Sequence, residues 1–399
     1  MKVLFVTGEF PPMQGGVGDY TREIGLALRD LGCEVAVASS TQAGPGPRDA
    51  ELVPGLTIHP IVKSWGWGSW GVLLNLIRRE RPDVVHIQYQ AAAYGLHPAI
   101  NLFPRRLRRW GREQPRAAVT FHDLRVPYLF PKAGPLRKWI VHELARGCDL
   151  AITTNRDDQE ALRQAVRSER PVQALVPIGS NIAPPRTLAG YDRDAWRAKW
   201  GVGLGDLLLC FFGFVNDRKG VDTLLQALKL MVAEPGEAAN PHLVMIGGQT
   251  GASDPTNVAY LARIRALIDE LGLGEWVRWT GYTPAEEVSA NFWAADLCVL
   301  PFRDGASFLH GTFHAALAHG IPTVTTRPRA ALPELVDGEN IALAPQGDPA
   351  ALAAAIRQLA ADATLRYRIG VGARALAEQF GWGQIAAKTL GLYRRILKA

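Results

Sequence analysis

Small and hydroxyl-bearing residues are concentrated between an apolar run and a helical stretch in the last third of the chain. The segment reads PFRDGASFLHGTFHAALAHGIP and runs from Pro301 to Pro322. N–H groups at a helix start bind phosphate well, and hydroxyl groups beside them add further donors. The segment therefore predicts an oxyanion site before a helix through Phe313 to His319, with a simple helix cap and stop as the alternative. The residues that would line the site are Gly305, Ala306, Ser307, Gly311 and Thr312.

A second glycine-rich loop lies near the start of the chain. The sequence GEFPPMQGGVGDY places Gly15 and Gly16 directly before a predicted helix from about Val17 to Leu31. Glycine lets the backbone approach a ligand closely, and unpaired N–H groups at a helix start suit a phosphate. A dinucleotide fold requires a tight G-x-G-x-x-G, whereas seven residues separate Gly8 from Gly16. The loop therefore favours an oxyanion cradle over a dehydrogenase site, and a plain turn before a helix is the alternative.

Two further loops carry side chains that could act on a sugar phosphate. His122 follows the apolar run AVTF, and its imidazole could hydrogen bond a sugar hydroxyl while Asp123 orients the ring. Arg218 and Lys219 lie in a turn before an amphipathic helix, where cations could neutralise a departing diphosphate. An ordinary turn or helix cap explains each pair equally well from local sequence.

Glycine and aromatic residues could contact the rest of such a ligand. Gly248 and Tyr282 each follow an apolar run, and they could lie against a nucleobase. The run SWGWGSW offers Trp65, Trp67 and Trp70 as groups that stack on a sugar or face a lipid acceptor. Ordinary turns, and core packing of at least one tryptophan, are the alternatives.

Short apolar runs alternate with helical lengths along the whole chain, which predicts an α/β fold with parallel sheets. One series of predicted strands begins at Lys2 to Thr7 and ends at Gln173 to Pro177. A second series begins at Leu207 to Phe212 and ends at Thr323 to Thr325. Ligands of open parallel sheets bind where loops leave the carboxyl ends of the strands, and the candidate loops all fall there.

The two series of strands predict two doubly wound domains. The segment VPIGSNIAPPRTLAG combines Pro, Gly and Ser between the two series, which is typical of a linker. The closing stretch FGWGQIAAKTLGLYRRILK has apolar residues near helical spacing and predicts a helix that packs back toward the first domain. The predicted parts are a first domain over 1–178, a linker over 179–190, a second domain over 191–378 and the closing helix over 379–399.

The composition is that of a soluble globular protein, with 48% hydrophobic and 21% charged residues in 399. No run approaches the ~20 apolar residues that a transmembrane helix needs. The start MKVLFVTGEFPP lacks the basic start and cleavage site of a signal peptide, so we expect a cytoplasmic protein.

No cluster of acids or histidines suits a metal, and we expect neither a metal nor a cofactor. Four dispersed cysteines predict buried thiols, namely Cys33, Cys148, Cys210 and Cys298.

The net charge of +6 comes from the first half of the chain, and its densest part is residues 101–116. This stretch, NLFPRRLRRWGREQPR, holds six Arg and one Glu with apolar residues interleaved. It could meet an anionic membrane, which would place the protein at the inner face of the membrane, or an anionic acceptor. A solvated surface helix is the alternative, and nucleic acid is not expected as a partner.

Taken in order, these pieces resemble glycosyltransferase family 4, a retaining group with the two-domain GT-B fold. The resemblance spans nearly the whole chain. It implies two Rossmann-like domains that face each other across a cleft, with the acceptor on the side of the first domain and the nucleotide sugar bound by the second. The motifs that carry it are the GG loop, VHIQY, TFHD, VPIGSN, KGVDTLLQA, AADLCVLPF, ALAHGIPTV and the closing FGW helix.

The resemblance implies roles for individual residues. His122 looks like the histidine that touches the donor sugar near its reacting carbon, and Lys219 looks like the diphosphate-binding lysine. Gly15 and Gly16 look like the loop beneath the transferred sugar. Residues 307–312 look like the loop that meets the donor phosphates.

Two positions depart from the family pattern. The family commonly has Arg where this chain has Phe214, and Arg218 is near enough in sequence to substitute for it. Alignment on AHGIP places Ser307 and Ala315 where the family has an acidic pair. Since the second acid usually holds the nucleotide's ribose, the nucleotide is less defined than the fold. Family members with a G-x-S-x-x-x-G-[ST] loop work without the pair, and this chain resembles that branch.

The sequence thus predicts a retaining hexosyltransferase. It would move a hexose from a UDP- or GDP-sugar to a hydroxyl of a saccharide, a lipid-linked acceptor or a small molecule. No well-placed carboxylate pair of the hydrolase type is evident, which fits a front-face mechanism better than a double displacement. A GT-B scaffold that binds a sugar nucleotide without catalysis is the alternative, and an epimerase or phosphorylase is a third interpretation.

Overall fold

The structure is a computed structural model in which the chain forms two compact units. The first unit comprises Met1–Gly179 and Gly381–Ala399, and the second comprises Ser180–Phe380. The chain therefore leaves the first unit once and returns to it at its end. The structure describes residues 1–13, 15–43, 54–109, 111, 114–124, 134–180, 182–185, 187–234, 240–247 and 255–398.

The first unit is built on one parallel sheet of seven strands. Its strands are β1 Lys2–Thr7, β2 Glu34–Ser40, β3 Thr57–Val62, β4 Val84–Tyr89, β5 Arg116–Phe121, β6 Leu150–Thr153 and β7 Val172–Leu175. Its first helices are α1 Gly16–Asp30, α2 Ser69–Glu80, α3 Ala99–Arg108, α4 Gly134–Gly147 and α5 Arg156–Ala165. The strands lie in the order β3-β2-β1-β4-β5-β6-β7. The strand order therefore reverses between β1 and β4, where the loops after these strands diverge.

The second unit repeats this plan with six parallel strands. Its strands are β8 Leu207–Phe212, β9 Pro241–Ile246, β10 Val277–Gly281, β11 Leu297–Leu300, β12 Thr323–Thr326 and β13 Ala342–Ala344. Its helices are α6 Arg193–Ala198, α7 Val221–Ala233, α8 Pro255–Glu270, α9 Ala285–Ala294, α10 Gly311–His319, α11 Pro349–Ala361 and α12 Ala363–Ala377. The order β10-β9-β8-β11-β12-β13 reverses between β8 and β11. The loops after β8 and β11 therefore flank the switch point of this sheet, which is where such sheets bind ligands.

The closing helix, α13 Trp382–Lys398, belongs to the core of the first unit. Its apolar face buries Ile385 and Tyr393 in the same cluster as Ile24 and Leu28 of α1. Burial of one aliphatic side chain such as that of Ile385 stabilises a fold by about 1.5–3 kcal/mol. The helix is therefore an integral part of this unit.

The predicted α/β architecture with parallel sheets is confirmed. Every strand that the apolar runs predict is present, with ends shifted by two residues or fewer. The sequence analysis missed β3 and β13, each of which is one of the two edge strands of its sheet. The predicted helix after the first glycine-rich loop is α1, and it begins at Gly16.

The arginine-rich stretch forms α3 and the residues after it. Phe103 and Leu107 are buried in the core, so these apolar side chains are not available to enter a bilayer. Arg105 forms an ion pair with the buried Glu143 of α4. Trp110 lies outside the described residues. Among the residues that the structure describes, no helix is long and apolar enough to cross a membrane.

The connection between β8 and α7 requires a glycine, and this requirement can be measured. Gly220 has a φ of +63°, and a Cβ there would lie 2.1 Å from the Pro301 carbonyl oxygen. Gly272 has a φ of +64° and no atom within 4 Å of such a Cβ. We expect Gly272→Ala to cost about 1–2 kcal/mol from backbone strain alone. Gly220→Ala adds about 1–3 kcal/mol because the carbonyl must move.

Urea unfolding of the two alanine variants gives the comparison directly. Equal losses in the free energy of unfolding at the two positions would contradict the close approach of Gly220 to Pro301.

Candidate functional site

Two predicted loops meet beside the switch point of the second sheet. Lys219 ends a short 3-10 turn, Asp217–Lys219, after β8, and Thr312 lies in the first turn of α10. The Lys219 Nζ donates a hydrogen bond to Thr312 Oγ1 at 2.8 Å. The Arg303 N–H donates to the Arg218 carbonyl at 2.9 Å, so the backbones of the two loops are also joined. The sequence predicts each of these loops as a separate binding element, and the fold places them in contact.

The ammonium group of Lys219 lies over an aromatic layer. Its Nζ is 4.8 Å from the centre of the Phe302 ring. The His310 ring stacks on the same Phe302 with ring centres 3.9 Å apart, and its Nε2 lies 3.6 Å from Asp304 Oδ1. Burial lowers the pKa of Lys219 to about 8, while the charge of Asp304 opposes that shift. Lys219 is therefore cationic at neutral pH and becomes neutral in mildly alkaline solution.

The loop before α10 is held mainly by its backbone. Gly305 has a φ of +83°, and a Cβ there would lie 2.5 Å from the Arg327 carbonyl oxygen. Ala306 is buried and its N–H donates to the Thr326 carbonyl at 3.0 Å, so this N–H does not face a ligand. Ser307 Oγ accepts from the Leu309 N–H at 3.2 Å. These three residues therefore shape the loop.

The helix start itself is left open. Helix α10 begins at Gly311, two residues before the predicted Phe313, and His310 provides no side-chain cap. The N–H groups of Phe313 and His314 donate to the His310 carbonyl, whereas those of Gly311 and Thr312 have no acceptor among the described residues. Together with Thr312 and the Lys219 ammonium, this helix start presents several donors and a positive charge. Such a set binds a phosphate or diphosphate.

Other predicted residues of the second unit lie around the same edge of its sheet. Arg218 is exposed. Phe214 and Tyr282 follow β8 and β10, and their side chains are 45% and 81% exposed. Exposed aromatic rings of this kind can stack on a base. Ala315 of α10 is buried in the core, and Gly248 lies outside the described residues.

The predicted histidine of the first unit is held by a residue that the sequence analysis missed. The His122 Nε2 lies 2.8 Å from Gln88 Oε1, and the Tyr20 ring meets the His122 ring edge-on at 4.6 Å. Burial lowers the pKa of His122 to about 3, so the ring is neutral at physiological pH. The signal in the sequence was the polar Gln88, which follows the polar His86 by two positions in the fully buried strand VVHIQY. Asp123, expected to orient the ring, is not its described partner.

The first glycine-rich loop differs from its prediction. The Glu9 carboxylate accepts hydrogen bonds from the N–H groups of Val17 at 3.0 Å and Gly18 at 3.4 Å. The expectation of unpaired N–H groups at the start of α1 is therefore wrong, because a carboxylate of the same chain already occupies it. Gly15 is needed for this arrangement, since a Cβ there would lie 2.2 Å from the Glu9 carboxyl group. At Gly16, by contrast, a Cβ would meet nothing within 4 Å.

The tryptophans proposed for the acceptor side separate into two kinds. Trp65 is buried and packs edge-on against Tyr94 with ring centres 4.7 Å apart, so it belongs to the core. Trp67 is 50% exposed and meets the rings of Trp70 and His97 edge-on. Only Trp67 of the proposed pair presents a large surface to a ligand.

No group of three or more His, Cys, Asp or Glu side chains among the described residues could hold a metal ion. The four cysteines are free thiols and all are buried.

Comparison with known proteins identifies relatives of both units. Residues 206–362 match the family described as Glycosyl transferases group 1, and residues 15–179 match the one described as Glycosyl transferase 4-like domain. The D-inositol 3-phosphate glycosyltransferase of Xylanimonas cellulosilytica is 26% identical over 407 residues, which covers 96% of this chain and 92% of that protein.

Solved structures share the fold at lower sequence identity. Sucrose-phosphate synthase from Thermosynechococcus elongatus has a TM-score of 0.73 and 21% identity, covering 100% of this chain and 99% of that chain. Anabaena HepE in complex with UDP-glucose has a TM-score of 0.72 and 19% identity, covering 98% and 99%.

A double-mutant cycle tests the carboxylate cap of α1. Glu9→Ala removes the cap and should cost about 1 kcal/mol. Gly15→Ala should cost about 1 kcal/mol in the wild-type protein, because its methyl group must push the Glu9 carboxylate off the helix start. In the Glu9→Ala background the same substitution should cost about 1 kcal/mol less, since the space is then free. Urea unfolding of the four proteins measures this coupling.

Gly16→Ala is the matched control and should change stability little in either background. An equal cost of Gly15→Ala in both backgrounds would show that the Glu9 carboxylate does not lie against Gly15.

Proposed function

Because the chain belongs to the group 1, glycosyltransferase 4-like glycosyltransferases of the GT-B fold, which use nucleotide sugars, we propose that it is a retaining hexosyltransferase. Its donor in this proposal is a UDP- or GDP-hexose, and its acceptor is a hydroxyl of a saccharide, a lipid-linked compound or a small molecule. The observation that carries the proposal is the Lys219 ammonium on the Thr312 hydroxyl at the start of α10.

The chemistry of the leaving group explains why this pair matters. When the sugar leaves a nucleotide diphosphate, negative charge develops on the diphosphate oxygens. A cation and preorganised N–H donors stabilise such charge strongly in a partly desolvated site, because they do not have to reorient. We assign diphosphate binding to Lys219, Thr312 and the first turn of α10, with Arg218 as an exposed auxiliary cation. Gly305, Ala306 and Ser307 support this loop.

The first unit supplies the other proposed contacts. His122 is neutral, so we assign it a hydrogen bond to a hydroxyl of the donor sugar and no proton transfer at neutral pH. The exposed Trp67 is a candidate for stacking on the acceptor. Gly15 and Gly16 lie at the carboxyl edge of the sheet that carries His122, and we assign them to the loop beneath the sugar.

Retention follows from the face of the sugar carbon that the acceptor attacks. In the proposed front-face reaction the acceptor oxygen bonds to the sugar carbon on the side from which the diphosphate leaves. The C–O bond to the diphosphate breaks, and a diphosphate oxygen takes the acceptor proton. The positive charge of Lys219 stabilises the departing diphosphate throughout. Phe214 and Tyr282, both exposed, are the candidates for contact with the nucleobase.

Replacing the half-buried ammonium of Lys219 tests its assignment to diphosphate binding. Lys219→Met should lower kcat/KM for the sugar nucleotide by about 100-fold or more, as expected when a preorganised group that stabilises transition-state charge is lost. The measurement is release of nucleoside diphosphate from a panel of UDP- and GDP-hexoses. Lys229→Met, on the exposed face of α7, is the matched control and should retain the wild-type value. Equal activity of both variants would exclude the role of Lys219, and no turnover of any donor by the wild type would favour a scaffold protein.

The pH profile tests the charge state of the same group. The lowered pKa means that Lys219 is cationic below pH of about 8 and neutral above it. Since the neutral amine no longer attracts a diphosphate, kcat/KM should fall as the pH rises through about 8. Lys219→Arg should lose this decline because a guanidinium stays protonated there. A wild-type profile that is flat between about pH 7 and about pH 9 would contradict the assignment.

A further inference from the structure

A polar side chain lies at the centre of the first sheet without an evident structural need. Gln88 is fully buried on β4, between β1 and β5. Burying a carboxamide costs free energy unless its groups find partners. Its oxygen has a partner in the His122 ring at 2.8 Å. Its Nε2 has no hydrogen-bond partner among the described residues. The one bond that Gln88 makes with its side chain is therefore the bond to His122.

This bond fixes where the histidine carries its proton. An amide oxygen can only accept a hydrogen bond, so the ring nitrogen that faces it must be the donor. A neutral imidazole has one N–H, and with the proton on Nε2 the other nitrogen, Nδ1, is left with a lone pair. The hydrogen bond described for the His122 ring uses Nε2, and no bond of its Nδ1 to another described residue is present.

The ring is also fixed in position. The His122 N–H of the backbone donates to the Tyr89 carbonyl at 3.0 Å. Tyr20 of α1 meets the ring edge-on, and Trp382 of α13 meets Tyr20 edge-on at 5.2 Å. The bond to Gln88 and the edge-on contact with Tyr20 hold the ring from two sides and disfavour an exchange of its two nitrogens. The identity of the free nitrogen is therefore set by the fold.

We propose that Gln88 is a positioning residue that keeps the His122 proton on Nε2, so that Nδ1 accepts a hydrogen bond from a hydroxyl of the donor sugar. The inference rests on the proposed function for its ligand. It also defines that ligand group by chemistry, because an acceptor nitrogen binds a hydroxyl and repels the lone pairs of a phosphate or carboxylate oxygen. His122 thereby selects a hydroxyl-bearing part of the donor over its diphosphate.

The described titratable groups near the His122 ring do not favour its protonated form. His86, two residues before Gln88, is itself neutral because burial lowers its pKa to about 3. Burial raises the pKa of Tyr20, which therefore stays protonated. Asp123 follows His122 in the chain and has an interaction of its own. Among the described residues, the group bonded to the ring is the uncharged Gln88.

Nuclear magnetic resonance of the ring nitrogens tests the inference without any assay of activity. Long-range proton–nitrogen correlation of the full-length protein labelled at histidine shows which ring nitrogen carries the proton, and His122→Gln identifies the signal. We expect the wild-type ring to carry its proton on Nε2 and to remain neutral throughout the neutral pH range. A proton on Nδ1 would overturn the inference.

Substitution of Gln88 provides the second arm. In Gln88→Glu the carboxylate accepts from the same N–H and stabilises the imidazolium, so the ring should gain a second proton at higher pH than in the wild type. In Gln88→Leu the Nε2 proton loses its acceptor, and the proton should populate Nδ1. Tyr94→Phe is the matched control, since its hydroxyl donates to the backbone carbonyls of Val6 and Gln88. It should leave the tautomer unchanged.

Donor analogues link the tautomer to binding. With a panel of singly deoxygenated sugar nucleotides, the wild type should lose about 10-fold or more in kcat/KM at one hydroxyl. Gln88→Leu should not distinguish that analogue from the parent donor, whereas Tyr94→Phe should. Discrimination that survives in Gln88→Leu would overturn the inference. If the wild type turns over no sugar nucleotide while its ring carries the proton on Nε2, the proposed function fails and the positioning by Gln88 stands.

Discussion

The half-buried ammonium of Lys219 is the constraint on which the organisation of the second unit depends. Removing an ammonium from water is costly, and the lowered pKa of Lys219 reflects that cost. The Thr312 hydroxyl and the Phe302 ring compensate part of it. Both contacts require the loops after β8 and β11 to approach closely. Gly213 permits this approach, because a Cβ there would lie 2.5 Å from the Thr312 methyl group.

The starts of α1 and α10 show how one sequence signature can produce opposite electrostatics. Both helices follow a glycine-rich loop at the carboxyl edge of a parallel sheet. At α1 the Glu9 carboxylate fills the helix start with negative charge. At α10 no side chain caps the helix, and the Lys219 ammonium lies beside it. By its charge, only the second arrangement suits a phosphate. The difference comes from two side chains, Glu9 at the start of α1 and Lys219 at the start of α10.

The sequence was sufficient for the architecture and for the residues that act through local motifs. Buried parallel strands are continuous apolar runs, so all but two were predicted, and the family resemblance is confirmed. Strand β3 was missed because it is partly exposed and contains a proline, and β13 was missed because it has only three residues. Lys219 and Thr312 were predicted individually, but their contact was not. The roles of Glu9 and Gln88 depend on partners brought close by the fold, and Trp65 is in the core for the same reason.

The central claim is that this glycosyltransferase transfers a hexose with retention, and the stereochemistry of its first product tests that claim most directly. Proton nuclear magnetic resonance can follow the hexose that the purified protein releases to water from an α-linked UDP- or GDP-hexose. A diphosphate held by Lys219 and α10 on the face that the acceptor approaches predicts that the α anomer forms first, before the anomers equilibrate. Initial formation of the β anomer, or no hexose released from either donor class, would contradict the account.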